Sequence, residues 1–546
     1  MLARCIPAVL LCACVPELNQ IAPEPSSNDQ DGPDIEYVLG VDPATGMKKV
    51  GGAHEVIDFG YYREAVDYYN EGTLLHPELD DAAYQYDASA TSGATDWPVF
   101  ASSWWPQSEN GIAQRYTSVS TDISDHSDQE NLAPVEKYDL LFHPGEDEVV
   151  DEVEHWYYSE ILEDEEDRGN KHSHPEVTAI GPATAWELEE HGVYQSWVHP
   201  DSWWGHCNGW ASYATTEPGG APERDIWVKV DNGDIVECQA NDSDCVLFRM
   251  GDIEALMTEL YFSDTSTFAG QRCDLQPDDI DVDADGRPEE EACRDINPAT
   301  FHTAVVGMLH NEAEHLGTGQ IGHPAFVIDH NYDYEVWNFP LTEFEVNDTE
   351  DLTEAEATAL VGTGSDYKWN VDAEKFVRID LTYGMVSDSV SSSSMLTYAH
   401  DRNIALYYAD MHYVLELDAN DKILGGEWIE EPNATWGDNS KEGHPDFLWM
   451  GVSATGYGEN SDDTSGTHDN PHISYDDVRA LLDCANDSTT CEASTSSNNN
   501  GNGSNGNGNN FDCGQACSGS SGTPWILALL PPIGLIIRRR RNPIHS

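Results

Sequence analysis

Asp and Glu outnumber Lys and Arg by 101 to 25, a formal net charge of -76. A chain so charged folds only if its apolar groups close a core against the repulsion of its own surface. The apolar material is present: aromatic residues make up 10% of the chain and 16 residues are Trp, so the middle of the sequence is expected to fold. The 546 residues allow one large domain, or two ordinary ones, plus tails. The negative charge runs along most of the sequence instead of gathering in one block, which reads as a solvated acidic surface. Such a surface repels phosphate, so nucleic acid is excluded as a partner. It also suits a protein that works in high salt.

Both ends read as addresses. The start, "MLARCIPAVLLCAC", has one early Arg, a short apolar run and the box LCAC at residues 11–14. This is an export signal, with Cys14 as a lipidated N-terminus or, failing that, an ordinary cleavage site nearby. The end carries Cys513 and Cys517, an apolar segment at 525–537 interrupted by Pro531-Pro532, and Arg538 to Arg541. The segment is short of a comfortable bilayer span. It resembles the C-terminal sorting tags of myxobacterial surface proteins; a permanent short anchor is the alternative. The expected localisation is therefore outside the cytoplasm, at the outer membrane or cell surface or secreted, with membrane contact through lipid or the C-terminal anchor. The expected division is a signal at 1–14, an acidic Pro- and Gly-rich linker at 15–90, a body at 91–485, a Ser/Asn/Gly spacer at 486–512 and the tag at 513–546. No internal repeat is visible.

Of the 12 cysteines, five belong to the signal and tag. The body and its border keep Cys207, Cys238, Cys245, Cys273, Cys293, Cys484 and Cys491. Local couples 238–245, 273–293 and 484–491 use six, and an exported chain can oxidise all three. Cys207 is left over, in "WWGHCNGWA". The residues after it look like the start of a helix, where the dipole and the free N–H groups favour a thiolate and can hold an oxyanion. A buried small apolar residue is the other reading.

A thiolate nucleophile needs a base and a group to orient it. Downstream, "GHPAFVIDHNYDYEVWNFPLTEFEV" reads as two strands around the turn "HNYD". An even-length turn puts His323 opposite Pro340, with Asn338 as its diagonal neighbour on one face. Asp329 shares that parity but lies six residues along, about 20 Å, so Asn338 is favoured as third member and a bulge would reverse this. Cys on a helix with His and Asn on strands is a papain-like order.

Several stretches resemble the calcium-dependent transglutaminase elicitor family of Phytophthora cell walls. They are "SSWWPQSENGIAQRY", "VEKYDLLFHPG", "WWGHCNGWA", "INPATFH", "GHPAFVID" and "VWNFPLTEFEV", the last matching the family's elicitor segment. The resemblance implies acyl transfer through a Cys207 thioester, with His323 as base, joining glutamine carboxamides to lysine amines of protein substrates. It leaves the choice between Asn338 and Asp329 open. A departure at residues 339–343 puts an elicitor role of that segment in doubt. Trp203, Trp204, Trp210 or Trp337 would wall such a site against water, or else belong to the core.

"DVDADGRPEEE" supplies Asp281, Asp283, Asp285 and Gly286, the first half of a calcium loop. Arg287 can add its carbonyl, and Glu291 (or Glu289) can stand in for the missing twelfth-position Glu, where Ala292 sits. Ca²⁺ is the expected cofactor; an acidic surface loop is the alternative. "HNEAEH" at 310–315 lacks the spacing of a zinc helix.

Helices are expected at "DIEALMTELYF", at "ISYDDVRALLDCA" with Ser474 as N-cap, and as one long helix over "INPATFHTAVVGMLHNEAEHLG" from Pro298. "NIALYYADMHYVLELD" and "KILGGEWI" read as a hairpin. The fold class is α+β, a papain- or transglutaminase-like arrangement with the Cys at a helix N-terminus and His and Asn on antiparallel strands. Three functions stay open: a transglutaminase, a cysteine hydrolase with the same residues, and a binding module in which Cys207 is buried.

Overall fold

The computed structural model describes residues 85–116, 129–162, 168–240, 242–262, 266–270, 296–316, 319–329, 335–361, 369–370, 372–386, 388, 390, 406–429, 444–451 and 470–491. The signal, the tag, the 486–512 spacer beyond residue 491, and the whole of the expected calcium loop fall outside them.

The centre is an antiparallel sheet of eight strands. In chain order these are β1 (Ser92–Ala94), β2 (Ser266–Gly270), β3 (Val327–Asp329), β4 (Asn338–Leu352), β5 (Lys375–Val386), β6 (Leu406–Leu417), β7 (Ile423–Trp428) and β8 (Phe447–Gly451). They lie in the order β7-β6-β5-β4-β3-β8-β2, and β1 pairs with β4 beyond the end of β3. The hairpin expected from "YYADMHYVLELD" and "ILGGEW" is β6–β7, with Tyr413 opposite Trp428. Tyr413, Trp428 and Phe301 pack edge to face, a geometry aromatic pairs prefer.

Five longer helices cluster N-terminal to most of the sheet or return to it from the end of the chain: α1 (Pro134–Phe142), α2 (Pro182–Glu190), α3 (Cys207–Thr216), α4 (Met250–Leu260) and α5 (Tyr475–Asn486). Their starts follow from local chemistry. In α5 the Ser474 side chain accepts from the Asp477 N–H, and in α4 the Asp252 carboxylate takes the Arg249 N–H at 2.6 Å, satisfying N–H groups that a helix leaves open. Helices α3 and α4 meet at Gly209. A Cβ there would lie 2.2 Å from the Thr258 carbonyl oxygen, so only glycine allows this approach.

One expected element is shorter than foreseen. The segment from Pro298 is helical to His302 and continues as a π-helical turn, Thr303–Met308. "HNEAEHLG" does not extend it: Ala313–His315 is a strand paired with Gln320–Gly322.

His302 sits in that helix, buried, with Nδ1 2.7 Å from the Tyr413 hydroxyl. Burial lowers its pKa to about 3. The unfolded chain, with an ordinary imidazole near 6.5, then binds more protons than the folded one below that pH. The stability owed to neutral His302 is intact above about pH 6.5 and is lost as pH falls towards 3. We predict that His302→Gln, which cannot take that proton, gains on wild type by about 1.4 kcal/mol per pH unit below 6.5. Urea melts of both proteins between pH 7 and pH 4.5 measure this; parallel curves would refute it.

Candidate active site

Cys207 is the first residue of α3 and is fully buried. The N-cap, His206, offers no side-chain cap to the helix, so the first turn points its N–H groups and the positive end of the dipole at the sulfur. Trp104 packs on Cys207, and its carbonyl accepts the His206 N–H at 2.6 Å. Gly205 permits that approach, since a Cβ there would lie 2.3 Å from the same carbonyl oxygen.

From the sheet side comes Asn338, the first residue of β4. Its Nδ2 donates to Cys207 Sγ at 3.3 Å, while its Oδ1 accepts from Trp449 Nε1 of β8 at 2.8 Å. The amide is thus fixed in one orientation, with its N–H towards sulfur. Asn338 was expected to hold an imidazole; here it faces the sulfur directly.

The hairpin register differs from the expected one by four residues. Val327, not His323, is opposite Pro340, and Asp329 is directly opposite Asn338. The connection is longer than a tight turn, running over residues 330–337, and Asp329 Oδ1 holds its far end through the Trp337 N–H at 2.7 Å. Asp329 is therefore beside Asn338 and buried, which the expected register did not allow. His323 lies where β1 ends. Its carbonyl accepts the Asp96 N–H at 3.0 Å, and the neighbouring Thr95 N–H goes to the Thr342 carbonyl at 2.9 Å. His323 thus lies against the end of β1, six residues before Asp329, the partner of Asn338. Its Nδ1 is buried with no hydrogen-bond partner.

The cysteine arithmetic is corrected in one respect. Cys238–Cys245 and Cys484–Cys491 are bonded as expected. Cys207 is not the odd thiol: it too is disulfide-bonded. Local pairing was assumed, and connectivity does not follow from spacing. The 273–293 couple and the calcium ligands Asp281, Asp283, Asp285, Arg287 and Glu291 lie outside the described residues.

Of the tryptophans expected as walls, Trp203, Trp204 and Trp210 belong to the main core, and Trp210 Nε1 donates to the Phe100 carbonyl at 3.0 Å. Trp337 is 8% exposed and also joins that core. The aromatic lid on the sulfur is Trp104, from "SSWWPQ", whose place beside Cys207 was not read from the sequence.

Next to Cys207 lies a charged cluster that was also missed. His206 Nε2 is 3.3 Å from Glu187 Oε1 and 2.9 Å from Glu259 Oε2, and 3.2 Å from His191 Nδ1. Burial opposes a charge on His206, but the two carboxylates outweigh it and raise its pKa to about 9.

A group of helices that sets a buried cysteine against the inner strands of an antiparallel sheet is an α+β arrangement. The model of the transglutaminase elicitor family matches residues 78–491, and the chain belongs to that family. Among solved structures, the GP42 transglutaminase from Phytophthora sojae is 19% identical, with a TM-score of 0.44, covering 72% of this chain and 91% of that one. No protein of curated function matches the chain. Among the described residues no helix is long and apolar enough to cross a membrane.

Proposed function

We propose that the protein is an exported protein-glutamine γ-glutamyltransferase with Cys207 as its nucleophile. The observation that carries this reading is the sulfur at the first turn of α3 with the Asn338 amide N–H pointed at it. Both groups favour negative charge on sulfur. Because Cys207 is held in a disulfide, the nucleophile exists once that bond has been reduced or exchanged.

The thiolate attacks the carbonyl carbon of a glutamine carboxamide. First-turn N–H groups and Asn338 Nδ2 stabilise the oxyanion. The C–N bond breaks, and ammonia leaves with a proton delivered by His323. A lysine ε-amine then opens the thioester, gives its proton to His323, and frees the sulfur as an isopeptide bond forms. In this scheme the free Nδ1 of His323 supplies the proton site, and the reading requires His323 to come within hydrogen-bond reach of the reacting groups in the substrate complex. The substrates are proteins with accessible Gln and Lys. Membrane attachment through Cys14 or the C-terminal tag would keep the enzyme at the surface of its own cell. A hydrolase with the same residues is separated by one experiment: a labelled amine offered with a glutamine-rich protein is incorporated by a transglutaminase, whereas a hydrolase releases ammonia without incorporation.

The roles predict an order among variants. His323→Ala is expected to lose nearly as much activity as removal of the sulfur. Asn338→Ala should lose less than His323→Ala but more than Asp329→Ala, whose carboxylate clamps the connection. Steady-state amine incorporation ranks the three, and a greater loss in Asp329→Ala would reassign the third member.

Calcium is proposed at Asp281, Asp283, Asp285, the Arg287 carbonyl and Glu291. Alternating aspartates repel one another unless a cation neutralises them. Binding to the folded state alone stabilises by about 1.4 kcal/mol per decade of free calcium above the dissociation constant. Thermal melts over a calcium series should show this in wild type and not in Asp281→Asn with Asp283→Asn. An equal rise in both would mean that calcium acts elsewhere.

A further inference from the structure

One residue before Cys207, four buried side chains turn their polar atoms to a common centre. Glu187 and His191 stand one turn apart at the end of α2, His206 is the N-cap of α3, and Glu259 is in α4. Their ligand-type atoms all lie within 4.8 Å of one another. A tetrahedral ion with bonds of about 2.0–2.1 Å to nitrogen and oxygen holds its ligands about 3.3 Å apart. Three contacts of the cluster have this spacing, 3.2 Å from His206 Nε2 to His191 Nδ1, 3.3 Å to Glu187 Oε1, and 3.3 Å from His191 Nδ1 to Glu259 Oε1, and a fourth, His206 Nε2 to Glu259 Oε2, is shorter at 2.9 Å.

Two further observations point to a ligand. His206 Nδ1 is 3.0 Å from the Trp105 carbonyl oxygen. That contact needs a proton on Nδ1, so Nε2 is the nitrogen that faces the centre, and an ion bound there would take the place of the proton Nε2 shares with the carboxylates. Metal-bound histidines are oriented in this way, by a carbonyl on their other nitrogen. In addition, Glu187 Oε2 is buried with no hydrogen-bond partner, although its sister oxygen accepts the Ile112 N–H at 3.0 Å. A buried carboxylate oxygen left in this state is costly.

We propose that Glu187, His191, His206 and Glu259 form a closed site for one divalent transition-metal ion of the zinc class. Two imidazoles and two carboxylates give a neutral site with a dication. Calcium does not fit the donor set, because it takes six to eight oxygens and avoids imidazole. All four positions come from protein, the pattern of a structural site and not a catalytic one. The ion would tie the end of α2, the cap of the Cys207 helix and α4 to one point, fixing where α3 begins. This site is independent of the acyl-transfer reading.

The test uses untagged, full-length protein, with calcium in excess throughout. Metal content is measured after growth with zinc, and again after removal by a strong chelator and reloading with Co²⁺. The expected result is one zinc per chain, and a cobalt spectrum with the intense visible bands of a four-coordinate ion and no thiolate charge-transfer band. His191→Gln and Glu187→Gln should each lose the metal. A wild type that takes up neither ion, full metal content in both variants, or a thiolate band that places cobalt on cysteine would overturn the proposal. Should a variant fail to fold, the wild-type stoichiometry and cobalt spectrum decide alone. None of these readouts is enzymatic, so loss of the transglutaminase reading leaves them intact.

Discussion

Cys207→Ala is expected to abolish both amine incorporation and ammonia release, a loss on the order of 10³-fold or more, as for other enzymes stripped of their nucleophile. The sulfur is the group that α3 and Asn338 converge on, and no neighbouring side chain replaces it as an attacking atom in the mechanism proposed. The comparison has to be made on reduced protein, because wild-type Cys207 is disulfide-bonded. Wild-type activity should rise with reductant, while the variant stays inactive with or without it. Removing the sulfur also removes a cross-link, which typically stabilises by about 2–4 kcal/mol. A melt of variant and wild type under the same reducing conditions, in which neither carries the Cys207 cross-link and Cys238–Cys245 and Cys484–Cys491 are treated alike, separates misfolding from lost chemistry. A variant that folds and still incorporates amine would sink the enzyme reading.

Local features were legible in the sequence because local chemistry makes them. Ser474 capping α5 needs only residues 474–477, and the β6–β7 hairpin needs only two alternating runs and a short polar turn. Cys207 at the start of a helix was readable from the small residues after it. The register of β3 on β4 was not. It depends on how many residues join the strands, and "HNYD" suggested a four-residue turn where eight residues lie between Asp329 and Asn338, with Trp337 held by Asp329. The same limit applies to the buried cluster. Glu187 and His191 share a helix face at i, i+4, which is a visible signal. His206 and Glu259, however, join them only through the packing of α3 on α4, where Gly209 sets the approach. Spacing along the chain does not encode that contact. The pairing of Cys207 escaped for a similar reason: a disulfide records proximity in space, whereas the local couples were proximity in sequence.

The largest stability effect is expected at Lys137. In a chain with 25 basic residues against 101 acidic ones, this lysine is wholly inside, with Nζ 2.6 Å from Asp252 Oδ2 and both side chains inaccessible to solvent. Asp252 also accepts the Tyr116 hydroxyl at 2.7 Å and the Arg249 N–H at 2.6 Å. It therefore joins α1, the 85–116 segment and the start of α4. Lys137 lies over the Tyr116 ring as well, 5.4 Å from its centroid. Replacing the lysine by Met keeps its length and removes its charge. Asp252 is then left in the core with two hydrogen bonds and without its lysine, and breaking a buried pair from one side in this way costs about 3–5 kcal/mol. Replacing both partners is different in kind. Lys137→Met with Asp252→Asn leaves no uncompensated charge, and the amide oxygen can still accept from Tyr116. The double variant is therefore expected to be more stable than Lys137→Met alone, although each change taken singly destabilises. Urea melts of the four proteins, compared at unchanged m-value, measure the coupling directly. Strict additivity would mean that the two charges do not sense each other, and the ion pair would lose its place as the fastening between α1 and α4.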